Sequence, residues 1–294
     1  MNTKKKVFEG CATALITPFK DDKIDFKALE ELIDFQLESG VKAIVVLGTT
    51  GESPTIEEKE RDEIIDLAKK KMEGKATLIV GVGSNSTKRT IKFTQGAQKR
   101  GADAVLCVTP YYNKATPRGL AMHYTEVAKS TDLPVILYNV PSRTGLKISI
   151  ETLGMLRDVE NIVAIKEATT DVSEIERKIS IFKDDFYFYS GCDELILPIY
   201  SLGGIGVISA VANAIPREIC TLCQLFEKRE NERAAELALK ISPIIKELFA
   251  EVNPIPVKGL LSLMGRCKNE LRLPLCESSR MEELQKIKEM LPVL

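Results

Sequence analysis

The chain has 294 residues, of which 44% are hydrophobic and 28% are charged, which is typical of a globular enzyme. Its formal net charge of −1 excludes the basic surface of a nucleic-acid-binding protein, and no apolar run is long enough to span a membrane. The basic N-terminus lacks the apolar segment of a secretory signal, so we expect a cytoplasmic protein without membrane association.

Eight short apolar runs recur along the chain, with amphipathic segments between them. Their nearly continuous apolar character is typical of parallel strands that are covered on both faces. The runs are residues 11–18, 43–47, 77–81, 104–108, 134–138, 162–166, 186–190 and 206–209. This alternation predicts an α/β fold, a (β/α)8 TIM barrel. A doubly wound sheet is the alternative, but it normally has fewer strands and begins with a glycine-rich phosphate loop, which is not seen here.

Signals for helix starts and stops fall between these runs. Residues 25–38 carry apolar side chains at helical spacing, residues 55–58 have the pattern of a capping box, and residues 171–174 resemble a further cap. Glycines follow three helices as stop signals, at 39–40, 100–101 and 202–204.

The strand signal ends after about residue 224. Residues 225–250 and 258–294 predict helices, with a break at the proline-containing segment 253–256. We therefore expect a barrel over residues 1–224 and a C-terminal helical extension over residues 225–294 that packs on it.

A lysine lies at the end of one of the buried strands. Residues 161–168 read NIVAIKEA, which places Lys166 where an ammonium group is costly unless it is paired, solvated by a cleft or neutral. Desolvation favours the neutral amine, which condenses with carbonyls, so the segment suggests a Schiff base on Lys166. The alternative is a lysine that passes the strand end and pairs with Glu167 or another acid.

Active sites of such barrels lie at the carboxyl ends of the strands. The polar segments at those ends are residues 48–52, 109–112, 138–145, 166–167 and 190–193. Together they hold a lysine, tandem hydroxyls, phenols and an arginine. Each side chain alone fits an ordinary turn, core or surface position, but their joint placement around Lys166 favours carbonyl chemistry through an imine.

Cysteine and histidine usage argues against other chemistries. The seven cysteines lie mostly in apolar surroundings, which predicts reduced, buried thiols. Cys220 and Cys223 have redox-motif spacing, but they lie in a helical pattern and suit core packing better. We expect Cys192, close to the proposed site, to be a spectator. The single histidine, His123, is a poor triad candidate on a predicted helix face and excludes a metal centre built on several histidines.

These segments together resemble the dihydrodipicolinate synthase family of pyruvate-dependent class I aldolases. The matching segments are residues 48–53, 109–113, 138–145, 165–169, 190–191, 206–209 and 253–258, in family order along nearly the whole chain. The resemblance implies that Lys166 forms an imine with pyruvate and that the derived enamine adds to aspartate 4-semialdehyde. The amine of the second substrate then closes a ring. It implies no metal or organic cofactor.

The resemblance also implies roles for individual side chains. Tyr138 would donate and accept protons beside Lys166, with Thr49 and Tyr112 as its partners in a proton relay. The implied substrate contacts are Thr50 for the pyruvate carboxylate, Arg143 for the semialdehyde carboxylate, and the backbone of Gly191 and Ile208 near the keto acid.

Members of the family are usually homotetramers, built as dimers of dimers. A tyrosine often reaches across the dimer interface, and Tyr111 is the candidate for that role here. The interface also binds lysine as an inhibitor in many members, and Ser53, Asn85 and Tyr111 match that pattern.

Two other functions compete with this interpretation. Sialic acid and keto-deoxy-sugar lyases share the pyruvate imine, but they usually lack an arginine at the position of Arg143. A binding protein that kept the barrel without catalysis is the other alternative, and the presence of Lys166 and Tyr138 argues against it.

The inhibitory site for lysine is altered in this sequence. Glu58 and Arg61 stand where the sensitive pattern has histidines, and Arg89 stands where it has an acid for the ammonium group of the ligand. A cation that faces a cationic ligand repels it, so we predict weak or no inhibition by lysine. A rate assay with millimolar lysine tests this, and strong inhibition would refute it.

Overall fold

The structure, a computed structural model, describes residues 4–291. Ten strands lie in this range: β1 (Gly10–Ala14), β2 (Phe19–Lys20), β3 (Lys23–Ile24), β4 (Ala43–Val46), β5 (Thr77–Gly81), β6 (Ala104–Val108), β7 (Val135–Asn139), β8 (Ile162–Glu167), β9 (Tyr187–Ser190) and β10 (Gly206–Ser209). Eight of them form a closed barrel in the order β1-β10-β9-β8-β7-β6-β5-β4, and β2 pairs with β3 as an antiparallel hairpin.

Twelve α-helices lie in the same range. They are α1 (Phe26–Glu38), α2 (Glu58–Met72), α3 (Thr87–Lys99), α4 (Pro117–Lys129), α5 (Pro141–Thr144), α6 (Ile150–Leu156), α7 (Val172–Phe182), α8 (Ile196–Ser201), α9 (Pro216–Glu227), α10 (Asn231–Leu248), α11 (Ile255–Leu263) and α12 (Met281–Met290). Within residues 4–291, none of them combines the length and the apolarity of a membrane span.

The predicted barrel is confirmed, and the doubly wound sheet is wrong. Each of the eight predicted strands corresponds to a barrel strand, but the first ends at Ala14 and does not continue to residue 18. The β2–β3 hairpin that follows was not predicted. Its turn residues, Asp21 and Asp22, have φ angles of 53° and 59°, and positive φ at both central residues is the mark of a tight hairpin turn.

The predicted helix caps are partly confirmed. The cap predicted at residues 171–174 is confirmed, because the Asp171 side chain caps α7. The Asp25 side chain caps α1, for which a helix but no cap was predicted. The predicted capping box at residues 55–58 is wrong, because the box that opens α2 is formed by Glu57 and Glu60. The Thr55 hydroxyl instead donates a hydrogen bond within its own 3₁₀ turn.

The C-terminal helical extension is present, but its helices differ from the predicted ones. The segment predicted as one helix over 225–250 is interrupted between α9 and α10, where Arg229 has a φ of 63°. The segment predicted as a helix over 258–294 contains most of α11 and all of α12, with irregular chain between them, and its residues 292–294 lie outside the described residues. Gly265, with a φ of 73°, follows the end of α11. Pro274 lies in the irregular segment after it, where a proline disfavours a continuous helix.

The chain divides into two compact units. One comprises residues 4–9 and 77–208, and the other comprises residues 10–76 and 209–291. In the first unit, residues 4–9 pack against β9: the ring of Phe8 stacks on that of Tyr189 at 4.2 Å, and the Tyr189 hydroxyl donates to the Phe8 carbonyl at 2.8 Å. Lys4 Nζ donates to the backbone carbonyls of Arg157 and Ile162 at 2.9 and 2.8 Å.

In the second unit, Arg272 fixes the irregular segment between α11 and α12. Its guanidinium binds both carboxylate oxygens of Glu60, at 2.6 and 2.7 Å, and Oδ1 of Asp22 at 3.1 Å. The hydrogen bond from Arg272 holds the pKa of the Glu60 carboxyl below its ordinary value. One side chain thus ties this segment to α2 and to the β2–β3 turn.

We predict that Arg272→Met lowers the free energy of unfolding by about 2 kcal/mol at pH 7, because a partly buried bidentate ion pair is lost. The pKa of Glu60 is lower in the folded chain than in the unfolded chain. The loss should therefore be full above the ordinary glutamate pKa and should shrink as the pH falls through the folded value. Urea unfolding at pH 7 and at about pH 3.5 measures both.

Arg233→Met is the matched control, because Arg233 forms an exposed i,i+3 pair with Glu230 on the surface. Such pairs contribute about 0–1 kcal/mol. Equal losses in the two variants, or a loss at Arg272 that does not depend on pH, would contradict the prediction.

Candidate active site

Lys166 is a buried amine beside a phenol. It is the fifth residue of β8 and is 5% exposed. Its Nζ lies 4.4 Å from the centre of the Tyr138 ring, and the two residues are register partners on β7 and β8. Within residues 4–291, no carboxylate lies at ion-pair distance from Lys166.

Glu167, the next residue, does not neutralise Lys166. Its carboxylate is fully buried, and Oε2 lies 2.9 Å from Nζ of Lys178 on α7. Successive side chains of a strand point to opposite faces, and the helices of a barrel lie outside it. Glu167 therefore faces the helix layer and Lys166 faces the barrel interior, so the alternative in which Lys166 pairs with Glu167 is wrong.

The absence of a side chain at Gly191 makes room for the Lys166 side chain. A Cβ at position 191 would lie 3.0 Å from Cε of Lys166 and 2.8 Å from Cβ of Ala168. The Gly191 N–H donates to the carbonyl of Glu167 at 2.7 Å, which holds this backbone against the end of β8. Ile208, the other residue with a predicted backbone contact, is fully buried on β10.

Arg143 lies on an anchored loop that follows β7. Its helix, α5, begins two residues after the strand, and its guanidinium is exposed. On one side of it, the Thr109 hydroxyl donates to Oγ1 of Thr144 at 2.9 Å. On the other, the Ile148 N–H donates to Oδ1 of Asn139 at 2.9 Å. A bidentate donor is therefore presented from a fixed backbone.

Tyr112 is the most exposed large hydrophobic side chain in its unit. It is 91% exposed and has a φ of 73°, whereas Tyr111 is half-buried. A positive φ costs about 1–2 kcal/mol for a residue with a Cβ. The loop is tied down nearby, where Asn113 Nδ2 donates to the Asn85 carbonyl at 2.9 Å. Tyr112 is therefore not packed in a core but is held at the surface of this chain.

Thr49 and Thr50 form the turn that follows β4 in the second unit. Thr50 is buried, and its Oγ1 accepts a hydrogen bond from Asn253 Nδ2 at 2.9 Å. The Thr50 hydroxyl proton then remains available for another acceptor. Thr49 is half-buried, and the 3₁₀ turn that contains Ser53 follows.

A buried ion pair lies next to this turn. Glu52 has a φ of 52°, and its Oε1 lies 2.5 Å from Nζ of Lys258, with both side chains almost completely inaccessible. Burial lowers the pKa of Lys258, and the Glu52 carboxylate opposes that effect. Asn253 and Lys258 belong to a segment whose family resemblance was recognised, but sequence reasoning assigned neither residue a role.

The positions of the altered lysine site differ in exposure. Asn85 is half-buried, whereas Glu58 and Arg89 are exposed on α2 and α3. Arg61 is buried, and burial lowers its pKa to about 10. At neutral pH the guanidinium therefore remains charged.

The structure thus brings Lys166, Tyr138 and Gly191 together within one unit. It places Arg143 on the short helix α5, Ile208 within β10, and the predicted threonines and the other predicted tyrosines on the loops that follow β4 and β6. It also shows two residues that sequence reasoning missed. Asn139 and Lys178 both bind Glu167. Buried lysines are rare, but Lys178 lies at helical spacing on the apolar face of α7 with Ile175 and Ile179, and this spacing is the sequence signal that could have found it.

A closed parallel barrel with a buried, unpaired lysine at a strand end defines a (β/α)8 protein equipped for imine chemistry. The family model described as the dihydrodipicolinate synthetase family matches residues 7–292. The chain belongs to this family.

Similar proteins agree over almost the full length. The 4-hydroxy-tetrahydrodipicolinate synthase of Alkaliphilus oremlandii is 50% identical over 287 residues, which cover 97% of each chain. The crystal structure of dihydrodipicolinate synthase from Thermotoga maritima has a TM-score of 0.96 and 43% identity, covering 98% of this chain and 100% of that one. A structure described as the first monomeric dihydrodipicolinate synthase variant has a TM-score of 0.96 and 44% identity, with 98% coverage of both.

We predict that Cys192 reacts slowly despite its closeness to Lys166. Burial raises the pKa of its thiol to about 11, although Lys166 opposes this shift. Only ~0.1% of such a thiol is thiolate at pH 8. Iodoacetamide labelling followed by peptide mass mapping should modify the exposed Cys276 first and Cys192 appreciably only as the pH approaches 11. Equal labelling rates at pH 8 would show the prediction to be wrong.

Proposed function

We propose that this chain catalyses the formation of 4-hydroxy-tetrahydrodipicolinate from pyruvate and aspartate 4-semialdehyde, the first committed step towards diaminopimelate and lysine. The observation that carries the proposal is the buried Lys166, which has no ion-pair partner in its unit and lies beside Tyr138. The names of the relatives support the choice of reaction.

The first step is imine formation. The neutral amine of Lys166 attacks the ketone carbon of pyruvate, a C–N bond forms, and the carbonyl oxygen leaves as water after it has been protonated. This requires a proton donor and acceptor within reach of the nitrogen. Tyr138, whose ring faces Nζ, is the proposed group.

The second step forms the carbon–carbon bond. Loss of a methyl proton from the imine gives an enamine, and its terminal carbon adds to the aldehyde carbon while the aldehyde oxygen takes up a proton. The amine of the semialdehyde then attacks the imine carbon, closes the ring and releases the amine of Lys166. Arg143 is proposed to hold the carboxylate of the semialdehyde, because a guanidinium binds a carboxylate in a bidentate manner.

The remaining residues are proposed to hold pyruvate and to move protons. The Thr50 hydroxyl, oriented by Asn253, would donate to the pyruvate carboxylate. Gly191 and Ile208 would contact the keto acid through their backbones. Thr49 and Tyr112 would pass protons to and from Tyr138.

We further propose a homotetramer, a dimer of dimers, with the interface at Tyr111. The exposed, strained Tyr112 next to it supports the presence of a second subunit at this loop. The predicted cytoplasmic location belongs to the same proposal. The seven cysteines, all within residues 4–291, form no disulfide, which suits a reducing compartment.

The test is reduction with borohydride in the presence of pyruvate. We expect one covalent adduct whose mass is that of pyruvate less water plus two hydrogens, and peptide mapping should place it on Lys166. Lys166→Ala should give no adduct and no turnover, whereas Lys147→Ala, a change at an exposed lysine, should behave like the unmodified chain. An adduct that persists in Lys166→Ala would refute the assignment.

Substrate assays then separate the synthase from its alternative. Turnover of pyruvate with aspartate 4-semialdehyde, and none with sialic acid or keto-deoxy sugar acids, is the expected outcome. The reverse would indicate a sugar-acid lyase, and an adduct without turnover of any of them would indicate a binding protein.

A further inference from the structure

The last two residues of β7 are register partners of the last two residues of β8. Tyr138 and Asn139 are the last two residues of β7, and Lys166 and Glu167 are the last two of β8. The register aligns Tyr138 with Lys166 and Asn139 with Glu167. One pair therefore faces the barrel interior, and the other lies directly behind it on the helix side.

The rear pair is part of a buried polar network. Asn139 Nδ2 donates to Oε1 of Glu167, and Lys178 Nζ lies 2.9 Å from Oε2 of the same carboxylate. Lys178 also lies 2.9 Å from Oε1 of Glu174, whose other oxygen binds Lys147 at 3.1 Å. Two carboxylates and two ammonium groups thus give no net charge.

The stability of the fold alone does not account for a buried Glu167–Lys178 ion pair. Glu167 and Lys178 are at most 1% exposed, and such a pair is often no more stabilising than apolar side chains of the same volume. Burial raises the pKa of Glu167, and Lys178 opposes that shift. The network nevertheless lies directly behind the nucleophile.

Titratable groups lie on both faces of β8 near Lys166. On its own side are the phenol of Tyr138 and the thiol of Cys192, and that thiol is neutral at pH 7 because burial raises its pKa to about 11. The buried Asp193 follows Cys192 and also raises the pKa of that thiol. Glu167 is faced by Lys178 and Glu174 from α7 and by the uncharged Asn139 from β7. An uncompensated Glu167 would therefore add a buried negative charge one residue from the amine.

We propose that Asn139 and Lys178 are positioning residues for the imine chemistry: they hold the Glu167 carboxylate on the helix side of β8 and cancel its charge, so that Lys166 keeps its inward orientation and faces no added negative charge. This inference rests on the proposed function, because it concerns the reactivity of Lys166 towards a keto acid. Lys178 touches neither the substrate nor Lys166 and acts through Glu167.

The test is the pH dependence of imine trapping by cyanoborohydride and pyruvate, measured at Lys166 by mass spectrometry. Lys178→Met leaves Glu167 uncompensated and should favour the ammonium form of Lys166. The pH of half-maximal trapping should then rise by about one unit. Glu167→Gln leaves an excess positive charge and should lower that pH, and the double variant Glu167→Gln/Lys178→Met should restore it.

Lys147→Met is the matched control. The Lys147 side chain, the outer partner of Glu174, is 60% exposed, so its removal should not change the pH dependence of trapping. Far-UV circular dichroism checks folding, and if Lys178→Met does not fold, the opposite shift in Glu167→Gln still tests the proposal. Unchanged profiles in both single variants, with trapping intact in the unmodified chain, would overturn it. No trapping in the unmodified chain would instead overturn the proposed function.

Discussion

The alternation of side chains along β8 is the constraint on which the site depends. It places an amine and a carboxylate on adjacent residues but on opposite faces of the strand, so the two charges that would most easily neutralise each other are kept apart. The carboxylate finds its partner on α7, and the amine remains unpaired beside Tyr138. The outer helix layer thereby contributes to the chemistry of the interior without contacting it.

The same design recurs at the turn of Thr49 and Thr50. There too a buried carboxylate, Glu52, meets a fully buried lysine, Lys258, next to the residues with proposed substrate roles. Each pair has a large desolvation cost, and each links two elements through a short contact between buried charges. In both units, a buried ion pair therefore lies next to residues with proposed roles in the reaction.

The sequence predicts the barrel strands well, because eight short apolar runs that alternate with helical segments leave few alternative folds. It also identifies Lys166, since an amine at a buried strand end conflicts with its surroundings. The capping box at Glu57 and Glu60, one of several overlapping acidic patterns in that segment, was misplaced by two residues. Lys178 was missed although it lies on the apolar face of α7, because a lysine is costly to bury unless it is paired and its partner, Glu167 on the preceding strand, was not recognised as buried.

The docking of residues 4–9 has a consequence for how this chain is made. Phe8 and Tyr189 are 181 residues apart, so this contact cannot form until β9 has been synthesised. Contacts of such high sequence separation form late and slow down folding. The packing of residues 4–9 against the unit that carries Lys166 is therefore completed only after β9 has joined the barrel.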